Sequence, residues 1–406
     1  MTWAWPPIGR VGALRPLGMA REWTRAGHEV HLLTGPGDRG GEYSPDLEAR
    51  GSESGARVHR AEAPGIPHPA TLLAAAEQPL QALVARPVPR WRQIAAQWKT
   101  FPDAQRSWIE PARRLGLRLH AETPFDAVWS TSPPESAHYV ARGLAVTGVP
   151  WVADFRDQWS DYLLGRWDPV SRFVIDRVTR RLVARAAGVT AATEGVSESI
   201  RRASGREVSL VRNGFDPAPK AAASPRERVL GYFGRVDPLS QHPERLWAPL
   251  RALRARGEPW RAEFFLAPGG GGGARFEPPA DLRDVVTLFP PLPHPEALEA
   301  MGRMTALLVL AWETRGGETS VAGKLYEYVG SGRPVLVLAP KSFEARRLVE
   351  DTRTGLGAWE EAEIAEALRQ VEGFVPSAEG RDGLSRARAA QRLLELLLSS
   401  SHTEAR

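Results

Sequence analysis

Apolar residues in this chain fall in short runs separated by stretches of helical spacing, and the alternation continues almost from end to end. Strands buried on both faces read as continuous apolar runs, so the pattern predicts βαβ units around parallel sheets. In the first half the spacing predicts a helix over 14–26, stopped by Gly27, and strands at 29–33, 127–130 and 151–154. Helices follow at 135–146, 170–187 and 196–203, with strands at 188–192 and 208–212. One feature resists this scheme: only five residues precede Pro6, about the minimum for a first strand. Either that strand is very short or the natural start lies upstream.

At Asn213-Gly214-Phe215-Asp216 the periodicity breaks into turn chemistry, and a run of small residues and prolines occupies 217–225. A second set begins beyond it, with strands expected at 228–233, 262–266, 285–289, 306–311 and 334–338. Helices are expected at 243–256, 295–301 and 320–329, and an amphipathic helix at 383–398. Gly332 sits where a helix C-cap belongs, and Pro334 cannot continue a helix. The expected architecture is α/β, two doubly wound Rossmann-like domains. The boundaries fall at 1–214, 215–382 and 383–406, the last a helix free to return to the first domain, with a tail. Folds of this kind bind ligands beyond the carboxyl ends of their strands, and a cleft between two such domains is the default site.

A length of 406 residues agrees with two domains, and 42% hydrophobic with 25% charged residues is ordinary globular composition. Disorder is expected only in the tail at 399–406. Cysteine is absent, which excludes disulfides and thiolate metal sites. Neither a secretory leader nor a run of ~18 apolar residues is visible. A cytoplasmic protein is expected, at most peripheral at the inner face of a membrane. The net charge of +5 comes from basic residues interleaved with acidic ones, without a nucleic-acid motif, so nucleic acid is not an expected partner.

The sharpest chemistry lies in Ser320-Val321-Ala322-Gly323-Lys324-Leu325-Tyr326-Glu327-Tyr328. Small residues open this helix, so its free N–H groups can approach an anion, and a diphosphate would sit there. Lys324 adds charge in the first turn, where the dipole alone disfavours it. Glu327, one turn on, can accept hydrogen bonds from ribose hydroxyls; the bland alternative is an exposed Lys324–Glu327 ion pair. Gly9 and Gly12 suit a loop that comes close to a ligand. Asp154, Arg156 and Asp157 end a strand, where carboxylates beside an arginine can position an acceptor hydroxyl or take its proton; a structural ion pair is the alternative. The segment 86–114 interleaves Trp91, Trp98, Phe101 and Trp108 with arginines, which fits a membrane interface or a buried lid helix. The glycine run 269–273 lacks the residues of a phosphate loop and reads as a surface loop. The nine histidines show no metal spacing.

From Gly323 through Gly332-Arg333-Pro334-Val335 the sequence resembles the donor-site helix of family 4 glycosyltransferases, a GT-B family. The resemblance extends to Pro6-Pro7-Ile8-Gly9-Arg10-Val11-Gly12 with Arg15-Pro16, to Gly27-His28-Glu29-Val30, to the Asn213 turn and to Gly234-Arg235. It implies a retaining, metal-independent transfer from a nucleotide-diphosphate sugar to an acceptor that the sequence does not identify. Glu327 would bind ribose, and Arg235 the phosphates. Thr319 stands where many members carry a first glutamate, Ser240 where a lysine is usual, and Ala153 where a histidine is frequent. Lys324 is a candidate for the missing charge. Two rivals stand beside this reading: another GT-B enzyme such as a nucleotide-sugar 2-epimerase, and a catalytically silent nucleotide-sugar-binding protein, which Thr319 and Ser240 suggest.

Overall fold

The computed structural model describes residues 1–7, 11–37, 45–66, 98–159, 169–217, 228–238, 240–267, 276–314 and 316–402. Gly9, the glycine run 269–273, most of the 217–225 boundary stretch and residues 86–97 of the 86–114 segment lie outside them. The chain divides into two compact units, Met1–Arg212 with Ala389–Arg406, and Asn213–Arg388.

In the first unit β1 (His31–Thr34) pairs in parallel with β2 (Arg57–Arg60). A second parallel sheet runs in the order β3 (Val128–Ser132), β4 (Trp151–Phe155), β5 (Gly188–Ala191) and β6 (Ser209–Leu210). The Met1–Trp5 segment is not a strand, yet it lies between the two sheets. Thr2 N–H donates to the Leu33 carbonyl at 3.1 Å, and Thr131 N–H to the Met1 carbonyl at 3.1 Å. Residues of β3 and β4 alternate between two cores, as a pleated strand requires. Val128, Trp151 and Ala153 pack with Val140 and Leu144 of the Ser136–Leu144 helix. Trp129 and Val152 pack with Met19 and Trp23 of the Leu14–Arg25 helix and with Leu393 and Leu397 of the Arg386–His402 helix. Helices therefore cover both faces.

The second unit holds one six-stranded parallel sheet. Its strands are β7 (Val229–Gly234), β8 (Arg261–Leu266), β9 (Val286–Phe289), β10 (Ala306–Leu310), β11 (Val335–Leu338) and β12 (Gly355–Ala358). In space the order is β12-β11-β10-β7-β8-β9. Leu307, Val309, Val335 and Val337 enter one core, whereas Ala306, Leu308, Leu310, Leu336 and Leu338 enter the other. Strand order reverses between β7 and β10, so their carboxyl ends flank the crevice where folds of this type bind ligands.

The Asn213 turn closes this unit on itself. Phe215 bridges Ser385, with Phe215 N–H donating to the Leu384 carbonyl and Arg386 N–H to that of Phe215. Arg386 Nε binds Asp216 at 2.7 Å. A Cβ on Gly214 would lie 2.6 Å from the Arg386 nitrogen and 2.7 Å from its Cα. The obstacle is backbone on both sides and cannot step aside. Gly214→Ala is expected to destabilise the protein by about 1–3 kcal/mol in urea unfolding, as overpacking does elsewhere; an unchanged midpoint refutes this.

Candidate functional site

Of the donor-site residues expected from the sequence, those of the second unit, Gly234, Arg235 and the 320–327 stretch, lie at the carboxyl ends of β7 and β10, whereas Gly12 belongs to the first unit. Strand β7 ends in Gly234, whose φ of 124° favours glycine, and Arg235 follows, exposed. The Tyr328 hydroxyl ties this strand end to the helix that follows β10. It accepts from Phe233 N–H at 2.7 Å and donates to the Phe233 carbonyl at 3.2 Å. That helix spans Gly323–Gly330, three residues later than the expected start. Gly316, with φ 86°, and Gly317, whose Cβ would fall 1.8 Å from the Trp312 carbonyl oxygen, instead set a 3-10 turn over Gly317–Thr319. Ser320 ends that turn, Val321 packs into the core, and Ala322 is the extended N-cap residue. No side chain caps the helix: Leu325 N–H donates to the Ala322 carbonyl, and the first N–H groups, at exposed Gly323 and at Lys324, have no side-chain acceptor.

Lys324 does not form the surface ion pair with Glu327. Its Nζ is buried without a hydrogen-bond partner, 3.7 Å from the centroid of the Tyr232 ring. It would lie 3.4 Å from a Cβ on Gly234, so glycine there leaves the amine its space. Burial pushes the Lys324 amine down to about 7. The Tyr232 ring face opposes that shift, a cation–π contact being worth ~2 kcal/mol when desolvated. Glu327 pairs instead with His294 Nε2 at 3.0 Å. Ser240 is spent locally, donating to Asp237 Oδ2 at 2.7 Å. An uncapped helix start beside a buried, unpaired cation is an arrangement that an anion completes.

In the first unit Asp154 does not point outward as expected; it is buried and saturated. Arg15 Nη2 reaches Oδ1 at 2.8 Å and Nε reaches Oδ2 at 3.0 Å, while Thr190 and Thr131 each donate at 2.7 Å. Burial would raise this carboxyl, but the Arg15 charge and these hydrogen bonds hold it below its ordinary value. Arg15 also donates to the Val211 and Arg212 carbonyls, which fastens the chain at the end of the unit. Arg156 turns inward too, binding the carbonyls of Ser132, Gly12 and Pro133. Gly12 therefore serves close packing, since its Cβ would come within 3.2 Å of the Arg156 guanidinium. Both oxygens of Asp154 are thus fully engaged within the unit, and Arg156, half-buried, spends each of its three nitrogens on a backbone carbonyl. Asp157 alone of the three is exposed, and burial of its surroundings, opposed by Arg156, pushes its carboxyl up.

In the described part of the 86–114 segment the aromatic side chains are packed against other rings. Trp108 is buried edge-on against Trp3 and donates to the Thr34 carbonyl. Phe101 stacks between Trp98 and Trp159. Asp103 binds Ser136 N–H at 2.7 Å and Ser136 Oγ at 2.6 Å at the start of the Ser136–Leu144 helix.

A family model for the glycosyl transferase 4-like domain matches residues 13–214. No curated protein matches the chain. Among solved structures, the chain is similar to Anabaena HepE in complex with UDP-glucose, with a TM-score of 0.56 and 15% identity over 98% of each chain. It is similar to a sucrose-phosphate synthase from Thermosynechococcus elongatus, with a TM-score of 0.55 and 15% identity, covering 94% of this chain and 91% of that one. A glycosyltransferase from Rickettsia africae aligns with a TM-score of 0.54 at 8% identity, over 100% of this chain and 96% of the other. The chain is a GT-B glycosyltransferase with a glycosyl transferase 4-like domain.

Two residues of the transferase escaped the sequence reading as contributors to these sites. His294, one of the histidines without metal spacing, holds Glu327 from 33 positions away, a separation that carries no local signal. Glu135, read only as a helix start, is buried, and burial together with the Asp103 carboxylate pushes it up to about 8. It holds its proton at neutral pH. For the Arg15–Asp154 pair, removing one partner strands the other charge in the interior. Arg15→Met is expected to destabilise the transferase by about 3–5 kcal/mol. A folded carboxyl below its unfolded value stabilises above the unfolded range and loses that contribution as pH falls through the folded one. The deficit should therefore be full at neutral pH and shrink in acid. Urea titrations at neutral and acidic pH measure both, and a deficit that grows in acid refutes the assignment.

Proposed function

We propose that the transferase draws its sugar from a nucleoside-diphosphate donor seated on the start of the Gly323–Gly330 helix. The observation that carries this reading is the buried, unpaired Lys324 amine beside an uncapped helix N-terminus. The diphosphate takes the first N–H groups and the charge of Lys324, while exposed Arg235 closes on it from the end of β7. As the sugar–phosphate bond breaks, negative charge builds on the departing diphosphate, and these fixed donors stabilise it. Three sources of positive charge do the work that a divalent cation does elsewhere, so the transfer is read as metal-independent, and by resemblance as retaining. Glu327, oriented by His294, accepts the ribose hydroxyls. Among the three acceptor-side candidates Asp157 is the base, because Asp154 and Arg156 are engaged inside the unit and a raised carboxyl accepts a proton better near neutrality.

Peripheral contact with an anionic membrane surface belongs to the same reading, through a different element from the 86–114 segment. On the Pro169–Val183 helix, Val170 and Phe173 are 69% and 66% exposed, and Arg177, Arg180 and Arg181 continue the same outward stripe. Apolar anchors beside arginines suit the boundary of lipid headgroups and acyl chains. Among the described residues no helix is long and apolar enough to cross a membrane.

Glu327→Ala is expected to weaken nucleotide-sugar binding at least tenfold in calorimetry with an unchanged melting temperature, since a half-exposed helix position tolerates alanine; equal affinity removes Glu327 from the site. A thermal-shift screen of nucleoside diphosphates and their sugars identifies the base, because a ligand at 100 times its Kd adds about 2.7 kcal/mol. Donor consumed without any acceptor would favour epimerisation, and binding without turnover under any acceptor a silent protein. Charge reversal at Arg177, Arg180 and Arg181 should abolish sedimentation with phosphatidylglycerol vesicles, each arginine near such a surface being worth ~1 kcal/mol. Sedimentation indifferent to both lipid charge and the reversal excludes this face.

A further inference from the structure

Lys324 is a lysine without a counterion. Its Nζ lies against the Tyr232 ring, and nothing among the described residues accepts a hydrogen bond from it. The charged and titratable groups around it are all engaged elsewhere or stand clear. From β7, the Tyr232 hydroxyl donates to the Arg235 carbonyl and is held protonated by burial. The Arg235 side chain, next along the chain from Gly234, is exposed. On the lysine's own helix, Glu327 turns to His294, and Tyr328, kept protonated by burial, is bound to Phe233. No carboxylate is in ion-pairing contact with Nζ among the described residues.

We propose that donor binding is coupled to protonation: the nucleotide sugar arrives as the missing counterion, and the Lys324 amine takes a proton from solution as the complex forms. This rests on the donor-site reading above. The proton forms an N–H bond with the amine lone pair and comes from the buffer. No bond of the ligand breaks, because the diphosphate of a nucleotide sugar is a diester that keeps both charges through the neutral range. Burial holds the free amine near about 7, so in the empty site it is largely neutral above that pH. An adjacent anion favours the charged form and raises the amine in the complex. Affinity is then full below the free value. Above it, affinity falls about tenfold per pH unit until the value in the complex is reached.

Titration calorimetry on the full chain, in two buffers of different ionisation enthalpy, counts the protons. The probes are UDP-glucose, GDP-mannose and ADP-glucose. Whichever binds should take up close to one proton per site at pH 8 and close to none at pH 6. Lys324→Arg, permanently charged, should bind with no uptake at pH 8, and Lys324→Met should bind more weakly with a flat pH profile. Wild-type binding without uptake at pH 8, or uptake that survives in Lys324→Arg or Lys324→Met, overturns the inference and leaves the donor site standing. Failure of all three probes to bind overturns the donor-site reading itself.

Discussion

Strands β7 and β10 bury side chains on both faces, so polar chemistry in the second unit has room only where the strands end. The Tyr328 hydroxyl decides what that end looks like. By binding both the N–H and the carbonyl of Phe233, it fixes the last turn of β7 against the helix after β10. Gly234 can then take its positive φ beside Lys324, and the helix start opens next to it. Without that clamp the lysine would have no reason to stay under cover, since a flexible four-carbon stem ordinarily carries its charge out to water.

The two units handle buried charge in opposite ways. Asp154 is met by four hydrogen bonds from three side chains and is structurally complete. Its work is to join β4, β3 and β5 to Arg15 of the first helix and, through Arg15, to the carbonyls at Val211 and Arg212. The Lys324 amine is buried as well, but it has no hydrogen-bond partner. A fully satisfied network rigidifies, whereas a half-satisfied one is costly unless something else completes it. That difference, more than position in the fold, sets Lys324 apart from Asp154.

What the sequence disclosed follows the same physics. Strands such as β10 and β11 are apolar throughout because both faces are covered, and they stood out at once. Strand β2 is mostly exposed, and β12 reads Gly-Leu-Gly-Ala, so neither carries an apolar or β-branched signal. The Gly323 helix was legible as an element, but its first turn was not. Val321 has the spacing of a helical core residue, and only the tight approach of Gly317 to Trp312 ends the preceding turn early enough to exclude it. The seclusion of Lys324 left no mark in the spacing, because it depends on Tyr232 and Gly234, some ninety positions earlier. Asp154 read as reaching outward because Arg15 lies 139 positions away. Spacing reports periodicity along one element; it is silent about which partner waits across the fold.

Phe215 and Ser385 lie side by side, so the second unit begins and ends at one seam. Its 213–388 stretch is, in topological terms, a cassette set into the first unit between Arg212 and Ala389. Entry and exit strands are stitched together by the Asp216–Arg386 clasp before the chain returns to the Arg386–His402 helix. Recombination that exchanges the whole 213–388 unit between relatives therefore has a single natural splice point, and both cuts fall within a few residues of it.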